Sequence, residues 1–246
     1  FLKKTIFNDN AFGDFLLKGY MDHEENTFFK NIKSLRPATY KIITQNSDKE
    51  KCYWNLGDSA PYRSSNIKRT KIKLKKLFDN AIQEHLESDV EIGSCLSGGN
   101  DSSSIASKSN SLLNYKMKTF TYEFNDQIKN VDSEIYRAND FARKNKMSNF
   151  TAIVSPKYVI GKFDELLLNL ESPITSLRLF GIKKLYEEVK KQDVKVMLEG
   201  HGGDEMLAGY DYNYMPWLLD QNSKISSNKV IYKIFTKKKY LKFWNR

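Results

Sequence analysis

The run Ser97-Gly98-Gly99-Asn100-Asp101-Ser102 constrains this chain more than any other part of it. It follows Val90-Glu91-Ile92-Gly93-Ser94-Cys95-Leu96, an apolar-leaning stretch of strand character, and precedes Ser103-Ser104-Ile105-Ala106, which opens a helix. In a strand–loop–helix of this kind, glycines let the backbone approach a polyanion and hydroxyl and N–H groups donate to phosphate oxygens. The helix N-terminus adds a field that favours negative charge. An aspartate there repels phosphate unless a divalent cation lies between them. A second loop, Gly200-His201-Gly202-Gly203-Asp204-Glu205, also follows a strand candidate. In one parallel sheet both loops fall at the carboxyl edge, where ligands of open α/β sheets bind, and they are expected to meet there. Asp101 and Asp204 are then candidate ligands for Mg²⁺ on a nucleotide.

The surrounding pattern predicts such a sheet. A helix near 66–87 is followed by strand 90–95, helix 102–113, strand 117–124, helix 132–146, strand 149–154, helices 156–170 and 179–191, and strand 194–198. Strands alternating with helices imply an α/β fold, a parallel sheet flanked by helices with right-handed crossovers. Local signals agree: Ser155-Pro156 is an N-cap followed by proline in the first turn, and Ile182, Leu185, Tyr186 and Val189 form an apolar stripe. Residues 1–58 read as a separate β-rich remnant with strand candidates Thr39–Thr44 and Lys51–Trp54. Gly57-Asp58-Ser59-Ala60-Pro61 is a turn-rich linker into a second domain, 59–246.

Composition narrows the function classes. The formal charge of +10 concentrates in Lys68–Lys76 and in the tail from Lys233 to Arg246. Leu74, Leu77, Phe78, Ala81 and Ile82 recur at helical spacing through and beyond the first cluster, so its lysines read as the solvated face of an amphipathic helix. No nucleic-acid partner is expected; a noncatalytic nucleic-acid-binding module is the competing class, and it predicts strongly salt-dependent binding. No run is long enough to span a bilayer, and the chain reads as cytoplasmic, with a homodimer as a candidate assembly. Cys52 and Cys95 support neither a disulfide framework nor a zinc site, and Cys95 reads as a small core residue. His201 is a loop residue with no assigned chemistry. Because the chain opens on Phe1, an incomplete amino terminus is expected.

Leu96-Ser97-Gly98-Gly99-Asn100-Asp101-Ser102-Ser103 resembles the pyrophosphate-binding loop, S-G-G-x-D-S, of the N-type ATP pyrophosphatases. Gly200-His201-Gly202-Gly203-Asp204-Glu205-Met206-Leu207-Ala208-Gly209-Tyr210 narrows the resemblance to the synthetase domain of glutamine-hydrolysing asparagine synthetase and its relatives, whose second motif runs G-x-G-x-D-E-x-x-x-G-Y. The match covers about residues 60–215. Residues 28–37 and Tyr53-Trp54 resemble the end of that family's glutaminase domain.

The resemblance implies an adenine nucleotide α hydrolase-like fold and amide formation through an acyl-adenylate. ATP activates the side-chain carboxylate of aspartate, and ammonia derived from glutamine attacks it. It implies that Ser97, Gly98, Gly99 and Ser102, with Gly200, Gly202 and Gly203 of the second loop, hold the nucleotide. Leu96 and the Tyr122–Phe124 region are its candidate adenine contacts, and Asp101 and Asp204 its Mg²⁺ ligands. Glu171, in Asn169-Leu170-Glu171-Ser172-Pro173, matches the glutamate that takes a proton from the incoming amine. Two family features lie outside the chain: the amino-terminal glutaminase cysteine and a lysine well beyond the second motif. The expectation is therefore a partial chain, truncated at its carboxyl end and without amidotransferase activity of its own. A lactam or lasso-peptide macrolactam synthetase resembles the same two motifs, so the acceptor carboxylate stays open.

Overall fold

In the computed structural model, which describes residues 6–58, 66–125, 133–207 and 209–210, the chain divides into two units. One is Phe1–Lys76 with Leu167–Ile174; the other is Leu77–Leu166 with Thr175–Arg246. The first contains α1 (Asp9–Lys18), an antiparallel hairpin of β1 (Thr39–Ile43) and β2 (Asp48–Cys52), and the start of α2 (Ile67–His85). The first strand lies where it was expected, whereas the second, expected over Lys51–Trp54, runs earlier, over Asp48–Cys52, where it pairs residue for residue with β1. Helix α1 is an addition to the expected β-rich pattern: Phe12 and Phe15, one turn apart, set their rings against Phe7 and Phe28. Gly19 ends the helix at φ 71°, its N–H donating to the Phe15 carbonyl.

The remaining elements alternate as expected. They are β3 (Ile92–Cys95), α3 (Asn100–Leu112), β4 (Lys118–Phe124), α4 (Glu134–Lys144), β5 (Ser148–Val154), α5 (Pro156–Gly161), α6 (Phe163–Leu170), α7 (Arg178–Lys191), β6 (Val196–Leu198) and α8 (Gly203–Leu207). The strands form one parallel sheet in the order β5-β4-β3-β6. The chain thus winds outward from β3 through β4 to β5, then returns to the opposite side of β3 as β6. Winding reverses between β3 and β6, so the segments leaving their carboxyl ends diverge and open a crevice.

Both faces of the sheet are covered, as a parallel sheet requires. On one face Ile92 and Leu96 pack with Ala106 of α3, Ala138 and Ala142 of α4, and Met117 and Met147. On the other, Phe120 and Ala152 pack with Leu185 and Val189 of α7 and with Val194. The period of two in β3 divides these clusters: Ile92 faces the first, while Gly93 leaves room for Phe120, Val194 and Met197 of the second. Ser133 and Ser155 cap α4 and α5, each accepting a hydrogen bond from the backbone N–H three residues on, and Pro156 occupies the first turn of α5.

The single helix expected over 156–170 is two helices, α5 and α6, parted at Lys162 after Gly161. Glycine weakens the continuous helix, and the Lys162 N–H divides between the Tyr158 and Val159 carbonyls at 3.0 and 3.3 Å. The last strand is shorter than expected, beginning at Val196, because Asp193 turns the chain at φ 54° and Val194 enters the core ahead of the sheet. Among the described residues no helix is long and apolar enough to cross a membrane.

Candidate functional site

The site begins with the alignment of β3 and β6. Their register places Ser94 beside Leu198, and the Ser94 hydroxyl donates to the Leu198 carbonyl at 3.2 Å. The two strands therefore release their loops at one level of the sheet edge. The loops meet there. A methyl group on Gly200 would stand 3.2 Å from the Ser102 nitrogen, and one on Gly203 would stand 2.7 Å from Asp101 Oδ2.

Gly98 answers to a different neighbour. It has φ 74°, and a methyl group on it would lie 2.6 Å from Cβ of Arg137 and 3.0 Å from that residue's carbonyl carbon in α4. The glycine lets the loop turn beneath α4. Gly98→Ala is expected to cost about 2–4 kcal/mol, combining a left-handed backbone penalty with overpacking against backbone atoms. Urea unfolding checks this; a loss below about 0.5 kcal/mol would show that α4 moves aside freely.

A cavity of about 430 Å³ opens between the loops and α7. Of the expected nucleotide and metal residues, Leu96, Ser97, Gly99, Asp101, Ser102, Gly200 and Asp204 line it, whereas Gly98, Gly202 and Gly203 do not. Leu96 is also a core residue, 1 % exposed, and its carbonyl accepts the Thr121 hydroxyl at 2.5 Å. Ser97 and Ser102 tie the loop shut: their hydroxyls are 3.0 Å apart, and the Ser102 hydroxyl accepts the Ser97 N–H at 3.2 Å. The Gly99 N–H donates to the Ser97 hydroxyl at 3.3 Å. No side chain caps α3 at Gly99, and Asn100, Asp101 and Ser102 of its first turn border the cavity. An uncapped helix start facing a cavity suits an anion.

The opposite wall comes from α7. Arg178, Ile182, Leu185 and Tyr186 fall at i, i+4, i+7 and i+8, on one helical face, and all four line the cavity. Arg178 hydrogen-bonds Tyr122, which raises the guanidinium pKa further and leaves a fixed cation beside the loops. The Tyr122 ring lies against Gly181 of α7 and edge-on to Phe124, with centroids 6.3 Å apart.

Behind β6, the Glu199 carboxylate accepts the Tyr186 hydroxyl at 2.5 Å and pairs with Nδ1 of His201 at 2.6 Å. Burial pushes the Glu199 carboxyl up, but Tyr186 and His201 outweigh it and hold the group below its ordinary range. The Cys95 thiol donates to the same carboxylate at 3.6 Å, and burial and then Glu199 push its pKa well up, so it stays protonated. Cys95 acts as wall rather than nucleophile.

Arg178, Glu199 and Tyr186 escape a motif-based reading. The signal for two wall residues was nonetheless present: the stripe containing Ile182, Leu185 and Tyr186 looks like core, and extending it back one turn reaches Arg178. Glu171 follows α6 in the other unit, at φ 50°, with its N–H on the Leu167 carbonyl at 3.1 Å. The linker from Ser59 to Pro61 and the basic aromatic tail lie outside the described residues.

A parallel α/β sheet with two glycine-bearing loops interlocked at its switch point defines the class of protein. The asparagine synthase family model matches residues 73–245. This chain belongs to the asparagine synthase family. It is 29 % identical to amidase chyE of Penicillium rubens, over 76 % of this chain and 30 % of that protein. It is 26 % identical to asparagine synthetase [glutamine-hydrolyzing] 1 of Bacillus subtilis, over 83 % of this chain and 31 % of that protein. Among solved structures, the NH3-dependent NAD synthetase from Campylobacter jejuni is similar at a TM-score of 0.39 and 20 % identity, covering 56 % of this chain and 60 % of that one. The chain thus spans about three tenths of the length of these curated relatives, 30 % and 31 %.

Proposed function

We propose that this chain is the nucleotide-binding part of an ATP-dependent ligase that adenylates a carboxylate and passes it to an amine. Aspartate is the favoured acceptor and ammonia from glutamine the favoured nitrogen source. The observation that carries this reading is the meeting of the two loops around Asp101, with hydroxyl and N–H donors on one side and Arg178 on the other. Residues 1–58 are read as the end of a glutaminase-like domain and 59–246 as the synthetase domain. A cytoplasmic homodimer accompanies the reading.

The donor set suits ATP and Mg²⁺. Two carboxylates, Asp101 and Asp204, line one cavity beside a loop of hydroxyl and N–H groups. Mg²⁺ is commonly held by one or two carboxylates together with substrate phosphates. Bound between them, it would neutralise charge on the phosphate oxygens. The substrate carboxylate attacks the α-phosphorus and pyrophosphate departs. Ser97, Gly99 and Ser102 donate to the oxygens on which charge grows. Arg178 holds an anionic group, the acceptor carboxylate or the α-phosphate, against α7. The amine then attacks the acyl carbon while Glu171 takes a proton from it, and AMP leaves.

The test is ATP–pyrophosphate exchange with Mg²⁺, with and without aspartate, in the protein expressed from its complete open reading frame. Exchange that depends on aspartate, followed by asparagine on adding ammonium, is the expected result. A second reading keeps the chemistry and changes the acceptor. It is supported by amidase chyE and asparagine synthetase 1 being similar to this chain at nearly equal identity, 29 % and 26 %. Exchange driven by another carboxylate, with an internal or larger amine as acceptor, would favour that reading. Release of orthophosphate in place of pyrophosphate would overturn both.

A further inference from the structure

Among the described residues, six acidic or basic side chains line the cavity: Asp101, Glu134, Arg178, Glu199, His201 and Asp204. Four are accounted for. Asp101 and Asp204 are the proposed Mg²⁺ ligands, and the Glu199 carboxylate is occupied by Tyr186 on one oxygen and His201 on the other. Arg178 and Glu134 remain, a cation from α7 and an anion from α4.

Each is the first residue of its helix, and β4 fixes the position of both. Tyr122 and Glu123 are consecutive in that strand, so their side chains leave opposite faces of the sheet. Tyr122 lies against Gly181 of α7 and hydrogen-bonds Arg178. Glu123, 4 % exposed, accepts the Glu134 N–H through Oε1 at 3.2 Å, while Ser133 caps the same turn of α4. The two helix starts therefore flank the end of β4, with one charge on either side of it. Tyr122 is the main influence raising the Arg178 pKa, and Glu134 adds to it through space rather than through a hydrogen bond.

A cation and an anion held a short way apart suit a ligand that carries both signs. Phosphate is attracted by Arg178 but repelled by Glu134, so the pair is poorly matched to a nucleotide alone. An α-amino acid carries an ammonium and a carboxylate on one carbon and satisfies both groups with charge-assisted hydrogen bonds. We propose that Glu134 binds the α-ammonium group of the acceptor while Arg178 binds its α-carboxylate, so that the site selects an α-amino acid and leaves the side-chain carboxylate to meet the α-phosphorus. This rests on the amide-ligase reading and gives the acceptor a class. An acid without the amino group loses a contact and also brings its negative charge up to Glu134 with nothing to offset it, which adds a repulsive element to the selection.

Succinate is the probe, because it has the carbon chain and both carboxylates of aspartate without the ammonium. ATP–pyrophosphate exchange with Mg²⁺ is measured with each acid in the protein expressed from its complete open reading frame. The wild type should favour aspartate by about 10- to 100-fold in kcat/KM, the range expected of a hydrogen bond between charged groups. Glu134→Gln should remove most of that preference by raising the KM for aspartate about 10- to 100-fold. Its kcat, its KM for ATP and its use of succinate should each change by less than about threefold. Glu134→Asp keeps the charge one methylene short and should retain part of the preference, which a role in shape alone would not produce. Calorimetry with aspartate beside a non-hydrolysable ATP analogue reads the same loss without turnover, and thermal unfolding checks that both variants fold.

Equal losses with aspartate and succinate, or a raised KM for ATP in Glu134→Gln, would assign Glu134 to the nucleotide or to the architecture of α4 and overturn the proposal. A wild type that activates both acids alike would do the same. Exchange with no carboxylate at all defeats the ligase reading itself, whereas exchange indifferent to the amino group leaves that reading standing and defeats this inference alone.

Discussion

Glu171→Gln is expected to reduce amide formation by about 10²- to 10⁴-fold while leaving pyrophosphate release largely intact, in the complete protein supplied with ammonia directly. The amide side chain preserves size and hydrogen-bonding reach but has no basic oxygen to take a proton from the incoming amine. Direct supply of ammonia keeps glutamine hydrolysis from limiting the rate. The two half-reactions should therefore separate, with activated carboxylate accumulating or hydrolysing in the variant. Glu171 sits at φ 50°, a backbone conformation that glutamine tolerates about as well as glutamate. A folding defect is accordingly not expected, and thermal unfolding of the two proteins checks it. Wild-type amide yield would make Glu171 an ordinary helix-terminal residue. Lost pyrophosphate release would assign it to nucleotide or acceptor binding.

Asp101→Asn and Asp204→Asn are each expected to weaken Mg²⁺-dependent ATP binding by about 10- to 100-fold, equivalent to about 1.4–2.7 kcal/mol. A hard divalent cation prefers anionic oxygen, and a neutral amide keeps the shape of the ligand without its charge. The two losses should not simply add, because the carboxylates border one cavity and would share one ion. Calorimetry with ATP, in Mg²⁺ and in EDTA, reads the effect. Binding without Mg²⁺ should be unchanged or slightly stronger in both variants, since a carboxylate facing phosphate is then removed. Unchanged affinity in Mg²⁺ for both would remove the metal assignment.

Much of the site is legible in the sequence because its two loops carry local signals. Each loop announces itself locally: small residues, a strand before it, and a helix after Gly99. Those signals depend only on neighbours in sequence. The Gly98 contact could not be read that way, because it depends on Arg137, brought close by α4 packing across the sheet. Its motif position suggested approach to a ligand, and its geometry adds a packing demand. The α7 stripe had the same ambiguity. Leu185 and Val189 pack into the core cluster, while Arg178, Ile182 and Tyr186 line the cavity and Leu185 borders both. Helical periodicity identifies a buried face but does not say whether protein or a cavity lies opposite.

The Glu199–His201 pair lay furthest from a sequence reading. Nothing distinguishes its carboxylate from that of Glu205 until β6 pairs with β3 and brings Tyr186 and Cys95 against it. By itself the sequence determined the alternating α/β pattern, the parallel sheet and the two loops, because periodicity, capping and glycine placement act within a few residues. Only the tertiary structure decided the strand order that puts β6 beside β3, the cavity wall supplied by α7, and the pairing of Glu199 with His201. These depend on groups far apart in the chain meeting at the sheet's switch point, and long-range packing selects such contacts without leaving a local trace in the residues that make them.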